Sequence, residues 1–143
     1  MKNLKQRLLN GETLNGCWLN LGSAVTAEIV GLSGFDWVLI DLEHGAGSES
    51  TTLSQIQALE HTSASVIVRA ESTEPQRIQR VLDMGAEGVM CPKVRNAEEA
   101  LKVVKGLHYP PFGNRGVAKM VRATQFGLDL RDDFGISRDH ILR

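Results

Sequence analysis

The sequence predicts an α/β fold in which parallel strands are covered by helices. Two observations lead to this prediction. Strand-like and helix-like segments alternate strictly, four times over, at roughly one unit every 25 residues. The strand-like segments are continuously apolar rather than alternating, which is typical of strands buried on both faces of a parallel sheet.

A short leading helix is predicted over residues 3–10, because Leu4, Leu8 and Leu9 recur at helical spacing and Gly11 can end the helix. Four βα units follow it. In chain order, strands are expected at 14–21, 36–41, 65–70 and 87–92, and helices at 24–32, 49–60, 74–85 and 97–108.

Polar residues at the predicted helix starts support these boundaries. Ser48 or Ser50 can cap the helix over 49–60, Thr73 the next one, and Asn96 the last. Pro75 falls in the first turn of its helix, where its missing N–H costs nothing.

Two architectures fit the predicted order of strands and helices, an open doubly wound sheet and part of a closed barrel. A dinucleotide-binding sheet needs a glycine-rich loop after the first strand, and NLGSAVTAE offers only Gly22 there.

Bulk properties narrow the classes of function. The 143 residues form one expected domain, with 42% hydrophobic residues, 23% charged residues and a formal net charge of -1. Mixed charges predict no nucleic-acid partner, and no apolar run is long enough to span a bilayer, so a soluble cytoplasmic protein is expected.

Residues 109–143 read as a long loop and a weakly specified tail, with a poorly specified helix from Ser137. Cys17 and Cys91 lack metal-ligand spacing and are expected to be small buried hydrophobes.

The candidate site follows from the strand exits. In FDWVLIDLEHGAGS, a buried strand delivers Asp41, Glu43 and His44 to its carboxyl end, and the next strand ends in Arg69. Because parallel strands end at one edge, these groups are expected to converge. A carboxylate three residues before a histidine can orient the imidazole for proton transfer, and a guanidinium can hold an anionic substrate bidentately. The pattern predicts an anion held by Arg69 while His44 moves a proton.

The same residue types at these positions also fit structural roles. His44 can equally be a hydrogen-bonded structural histidine, Arg69 a surface ion pair, and Glu43 a salt-bridge acid. Lys93, at the fourth strand exit, has nothing nearby in sequence that favours Schiff-base chemistry. Three further histidines, at helix ends or in the tail, are expected to be structural or solvated: His61, His108 and His140.

The motifs GFDWVLIDLEHG, VIVRA, LDMGAEGVMCPKV, NAEEA and YPPFGNRGV resemble, in order and spacing, the HpcH/HpaI family of pyruvate-dependent class II aldolases. The resemblance runs from about Leu4 to Phe126. It implies a (β/α)8 TIM barrel, of which this chain would be the N-terminal half. It also implies a homo-oligomeric lyase that cleaves 4-hydroxy-2-oxoacids, such as 2-dehydro-3-deoxyglucarate, 4-hydroxy-2-oxoheptanedioate or 2-keto-3-deoxyrhamnonate, to pyruvate and an aldehyde.

The resemblance implies roles for particular residues. His44, paired with Asp41, would be the proton-transfer histidine, and Arg69 would bind the oxoacid and stabilise the developing enolate. Glu43 and Asp83 would be supporting acids near the site. Arg115, in the loop GNRG, would be structural.

The resemblance also implies a divalent cofactor, Mg²⁺, Mn²⁺ or Co²⁺, held by a glutamate and an aspartate that fall beyond residue 143. Asp129, Asp132 and Asp133 follow no predicted strand, so no metal ligand is assigned in this chain. We therefore expect the chain alone to be weakly active or inactive as an aldolase. The alternative function is a non-catalytic oxoacid-binding or assembly fragment, which would associate through its open sheet edge.

Overall fold

The computed structural model describes residues 3–128, which form one four-stranded parallel sheet with its strands in the order β1-β2-β3-β4. Each strand pairs in parallel with the next one along the chain. The strands are β1 Gly16–Leu19, β2 Trp37–Asp41, β3 Ser65–Arg69 and β4 Gly88–Met90. The helices are α1 Leu4–Leu9, α2 Ala24–Leu32, α3 Glu49–Ala58, α4 Pro75–Asp83 and α5 Ala97–Leu107.

The predicted order of elements is therefore confirmed, while β1 and β4 are shorter than expected. The strand order follows the chain order without reversal, so the sheet has no point at which the strand order switches direction, which a doubly wound sheet requires. This is the arrangement of consecutive strands in the wall of a barrel.

The two faces of the sheet bury two hydrophobic clusters. The larger cluster lies under the helices and includes Val38 and Ile40 of β2 and Val66 and Val68 of β3. The smaller one lies on the other face, where Leu39 and Ile67 pack with Leu4 of α1. Both faces of the central strands are apolar for this reason, which explains their unbroken hydrophobic runs.

Helix starts agree with the sequence in two of three cases. Ser48 caps α3 and forms a capping box with Thr51, and the Asn96 side chain accepts from the Glu99 N–H at the start of α5. The prediction for Thr73 is wrong, because α4 begins one residue later. Its N-cap is Glu74, which makes no side-chain cap bond, and Pro75 occupies the first helical position.

Beyond α5 the described chain contains little regular structure. A cis peptide bond joins Pro110 and Pro111, and a 3₁₀ segment spans Arg122–Gly127. The proposed helix from Ser137, His140 and the three tail aspartates lie outside the described residues. Within residues 3–128, none of the helices has the length and apolar character needed to cross a bilayer.

Candidate active site at the carboxyl ends of the strands

The register of the sheet aligns the candidate residues. Asp41, the last residue of β2, pairs with Arg69, the last residue of β3, and Arg69 pairs with Met90 at the end of β4. In a parallel sheet, residues in register point to the same face. Asp41 and Arg69 therefore project side by side from the edge at which the strands end, here called the carboxyl rim.

Asp41 and Arg69 form a bidentate ion pair. Arg69 Nε donates to Asp41 Oδ1 at 2.9 Å, and Arg69 Nη2 donates to Oδ2 at 2.6 Å. The Asp41 side chain is fully buried. The guanidinium bonds lower the pKa of Asp41 to about 2, against the opposing effect of burial. Asp41 is consequently a fixed anion, and its pair raises the pKa of Arg69.

Asp41 also organises the loop that carries His44. Its Oδ1 accepts the backbone N–H of Glu43 at 2.9 Å and of His44 at 3.1 Å, and Asn20 Nδ2 donates to Oδ2 at 3.3 Å. The sequence-based interpretation paired Asp41 with the imidazole. The structure corrects this contact, because Asp41 holds the main chain of His44 and not its ring.

Among residues 3–128, Glu43 is the acid that lies within ion-pair distance of the imidazole. Its Oε1 lies 3.7 Å from His44 Nε2 and 3.1 Å from Lys93 Nζ, and its Oε2 lies 3.2 Å from Arg69 Nη1. The Glu43 side chain is almost buried, at 8% exposure, whereas that of His44 is 68% exposed. Glu43 thus links three cationic or proton-carrying groups, and the imidazole faces solvent at the rim. We call Asp41, Glu43, His44, Arg69 and Lys93 the rim cluster.

Two residues that sequence reasoning left out complete the surroundings of Arg69. The guanidinium carbon lies 4.8 Å from the ring centroid of Trp18 on β1, and Asn20 follows the same strand. A cation over an indole face is attracted by the ring quadrupole, so Trp18 fixes the orientation of Arg69. Trp18 and Asn20 both fall inside the strand predicted over 14–21, so placement at strand exits did not select them.

Lys93 adopts an unusual backbone conformation. Its φ is 59°, in the left-handed region that non-glycine residues rarely occupy. It follows Pro92 and lies three residues beyond the end of β4, and its exposed ammonium contacts Glu43. The sequence singled out Lys93 only as an improbable Schiff-base residue and did not anticipate this contact.

The remaining candidates lie apart from the rim cluster. Asp83 ends α4 near the edge where the strands begin, and its Oδ1 accepts from Arg115 Nη2 at 2.7 Å. The Arg115 guanidinium packs over Tyr109, 4.6 Å from the ring centroid. The structure therefore does not bring Asp83 to His44 within the chain.

Cys91 is partly buried, and burial raises the pKa of its thiol to about 11, which keeps it protonated.

The described residues do not fit a divalent-metal site of their own. Within residues 3–128, no three side chains of His, Cys, Asp or Glu are grouped so that they could hold a metal ion. The two rim carboxylates, Asp41 and Glu43, are already engaged by cations. A metal bound at this rim would need further ligands from elsewhere.

Residues 14–125 match the model of the family described as HpcH/HpaI aldolase/citrate lyase. The chain belongs to the HpcH/HpaI aldolase/citrate lyase family. This confirms the family indicated by the strand-exit motifs, and residues 14–125 include every member of the rim cluster.

Two curated relatives with similar sequences are named as aldolases. A pyruvate aldolase from Rhizobium etli is 42% identical over 127 residues, covering 89% of this chain and 50% of the relative. A 5-keto-4-deoxy-D-glucarate aldolase from Salmonella paratyphi A is 42% identical over 112 residues, covering 78% of this chain and 44% of the relative. The chain thus spans about half the length of the curated relatives it matches.

Solved structures give the same picture of the fold. An HpcH/HpaI aldolase/citrate lyase family protein from Burkholderia cenocepacia superposes with a TM-score of 0.92 at 36% identity, covering 99% of this chain and 57% of that chain. Macrophomate synthase superposes with a TM-score of 0.79 at 27% identity, covering 98% and 50%. The prediction of the N-terminal half of a TIM barrel is confirmed.

Proposed function

We propose that this chain supplies the proton-transfer and anion-orienting half of an aldolase site that cleaves a 4-hydroxy-2-oxoacid to pyruvate and an aldehyde. The observation that carries the proposal is the convergence of His44, Glu43 and the fixed Arg69–Asp41 pair at the carboxyl rim. In barrels of this kind the reaction takes place at that rim. The aldolase names of the relatives support the same reaction class.

His44 is proposed as the group that moves the proton. Retro-aldol cleavage removes the proton of the C4 hydroxyl, breaks the C3–C4 bond, and leaves the electron pair in a pyruvate enolate that is then protonated at C3. Imidazole can accept and return a proton near neutral pH. The exposed His44 ring, with Nε2 3.7 Å from Glu43, can reach a substrate at the rim while its backbone stays anchored to Asp41.

Arg69 is proposed to stabilise the negative charge that develops on the oxoacid. Asp41 occupies two of its N–H groups and Glu43 a third, so the guanidinium cannot rotate freely. A positive charge fixed in advance stabilises a developing enolate more effectively than one that must reorganise. This differs from the bidentate substrate clamp expected from the sequence, because Asp41 already fills that fork.

The divalent ion expected from the family resemblance, Mg²⁺, Mn²⁺ or Co²⁺, would supply Lewis-acid polarisation of the oxoacid carbonyl when bound. The residues described here do not form that site, so the roles above concern only the side chains of this chain. Action in a homo-oligomer and in the cytoplasm is likewise proposed from the family resemblance.

The proposal is tested by measuring pyruvate release from a 4-hydroxy-2-oxoacid in the presence of Mg²⁺, Mn²⁺ or Co²⁺. We expect His44→Ala to lower kcat/KM by about 10²- to 10⁴-fold, the usual contribution of a proton-transfer group. The matched control is His61→Ala, an exposed histidine just beyond α3, which should retain activity within about twofold. Measurable turnover by wild type that His44→Ala leaves unchanged would contradict the role of His44.

The alternative, a non-catalytic oxoacid-binding fragment, predicts a different result in the same experiment. The observation that favours it is that the two rim carboxylates, Asp41 and Glu43, already pair with cations, so within residues 3–128 no grouped set of ligands could hold the metal that turnover would require. Binding of pyruvate that does not depend on the added metal, with no turnover, would support this alternative.

A further inference from the structure

We propose that Lys93 is a specificity-determining residue, whose ammonium binds a second anionic group at the far end of the oxoacid. This inference rests on the proposed function and names the substrate class: 2-oxoacids that carry a distal carboxylate. It starts from a contrast between the two permanent cations of the rim cluster, Arg69 and Lys93, both of which contact the same carboxylate, that of Glu43.

Arg69 is a held cation. It makes two bonds to Asp41 and one to Glu43, it lies over Trp18, and its side chain is only 17% exposed. Every one of these contacts fixes its orientation toward the protein. Its charge is compensated by two carboxylates, so Arg69 can provide orientation for one end of a substrate but has little capacity to bind a second anion.

Lys93 is an available cation. Its side chain is 76% exposed, and its contact in the cluster is a single 3.1 Å ion pair with Glu43 Oε1. Glu43 keeps its 3.2 Å contact with Arg69 when the lysine leaves, and the exposed ammonium is solvated, so the ammonium can turn from Glu43 toward a substrate anion. The ammonium has three donors, and Glu43 uses only part of that capacity.

The backbone supports a role in binding. Lys93 holds a left-handed φ of 59°, which for a lysine is strained, and strained residues of this kind cluster at ligand-binding positions. This conformation brings the ammonium over the rim cluster rather than outward from β4, as its contact with Glu43 shows. Because Arg69 and Lys93 lie on opposite oxygens of one carboxylate, a single small substrate can span from one cation to the other.

The test compares two ligands of the same length that differ at one end. Calorimetry with added Mg²⁺ measures binding of 2-oxoglutarate, which has a distal carboxylate, and of 2-oxopentanoate, which has a methyl group there. We expect wild type to bind 2-oxoglutarate about tenfold more tightly, a ratio typical of one added charge-assisted contact. In Lys93→Met this ratio should fall close to one, while 2-oxopentanoate binding changes by no more than about twofold.

Two further variants keep the test specific. Lys93→Arg retains a cation and should retain most of the preference for the diacid. Lys102→Met removes an exposed lysine on α5 that pairs with Glu74 at 3.6 Å, and should leave both affinities unchanged. A thermal melt of each variant shows whether it is folded, and a general disturbance of the rim would weaken both ligands equally.

Each outcome decides the matter. A preference for 2-oxoglutarate that persists in Lys93→Met, or no preference in wild type, would overturn the role of Lys93 and leave the proposed function standing. Binding of neither oxoacid by wild type would contradict the proposed function itself, and the role of Lys93 with it.

Discussion

The Asp41 carboxylate connects sequence position to chemistry at the scale of single residues. It is a buried anion that holds the guanidinium of Arg69 on one side and the main chain of Glu43 and His44 on the other. Asp41 thus positions the residues that are proposed to act on substrate, although substrate need not contact Asp41 itself. Loss of the Asp41 charge should therefore disturb both stability and the geometry of the rim.

Asp41 should contribute a stability that depends on pH. Its pKa is lowered from 3.8 to about 2 in the folded chain, so the ionised form favours folding above pH 4, and this contribution is lost as the pH falls through 2. The shift corresponds to about 2 kcal/mol, and more than half of this should be lost between pH 5 and pH 2.5.

Urea unfolding at pH 5 and pH 2.5 checks this prediction. Wild type should lose on the order of 1 kcal/mol more than Asp41→Asn over that interval, because the variant has no group to titrate at this position. The comparison with the variant removes the contribution of other acids, such as Asp36 and Glu49, whose pKa values are also lowered by their partners. Identical pH dependence in the two proteins would contradict the role of Asp41.

The residues of the candidate site could be selected from sequence, but their contacts could not. Strand-exit placement was sufficient to select Asp41, His44 and Arg69. A short acid followed three residues later by histidine is compatible with a bond to the ring or to the backbone N–H, and the second is what Asp side chains commonly do in turns. The contact of Trp18 with Arg69 depends on sheet register, which one strand does not reveal.

The loop between β2 and α3 shows how an element positions the site. The Ala46 N–H donates to the Asn20 carbonyl at 2.8 Å, which ties this loop to the end of β1. Gly45 lies against the main chain, where a Cβ would be 2.3 Å from the Asp41 carbonyl oxygen and 3.3 Å from that of Asn20. Glycine is needed at this position because two backbone segments approach each other closely.

Gly45→Ala should therefore destabilise the chain by about 2 kcal/mol, since backbone atoms cannot move aside as a flexible side chain can. The matched control is Gly106→Ala in α5, where a Cβ would find its neighbours at an ordinary 3.7 Å. That change should be neutral or stabilising by up to about 1 kcal/mol, because alanine favours the helix. Denaturant unfolding measures both, and equal effects would contradict the close approach at Gly45.

Local rules predicted the elements well where side-chain chemistry determines the outcome. Ser48 and Asn96 cap their helices as expected, and the apolar runs of β2 and β3 form the centre of the sheet. Thr73 was assigned as a cap by its residue type, but Pro75 fixes the first turn so that Glu74 becomes the boundary. The left-handed φ of Lys93 has no signal in its residue type, because lysine does not favour that conformation.

At the scale of the whole molecule, four parallel strands in chain order bring every strand exit to one edge. The sequence could predict this alternation, and the resemblance identified it as half of a barrel. The chain spans about half the length of its relatives, so the proposed reaction is tested best by a step that involves the rim cluster itself. Enolate formation from pyruvate is such a step, because it needs only proton removal from C3.

The most direct measurement is the exchange of the pyruvate methyl protons for deuterium in D₂O, followed by NMR with added Mg²⁺, Mn²⁺ or Co²⁺. The proposed function predicts exchange above the protein-free rate, reduced at least tenfold in both His44→Ala and Arg69→Met and retained in His61→Ala. Exchange at the protein-free rate in wild type, or exchange that is unchanged in the His44 and Arg69 variants, would contradict it.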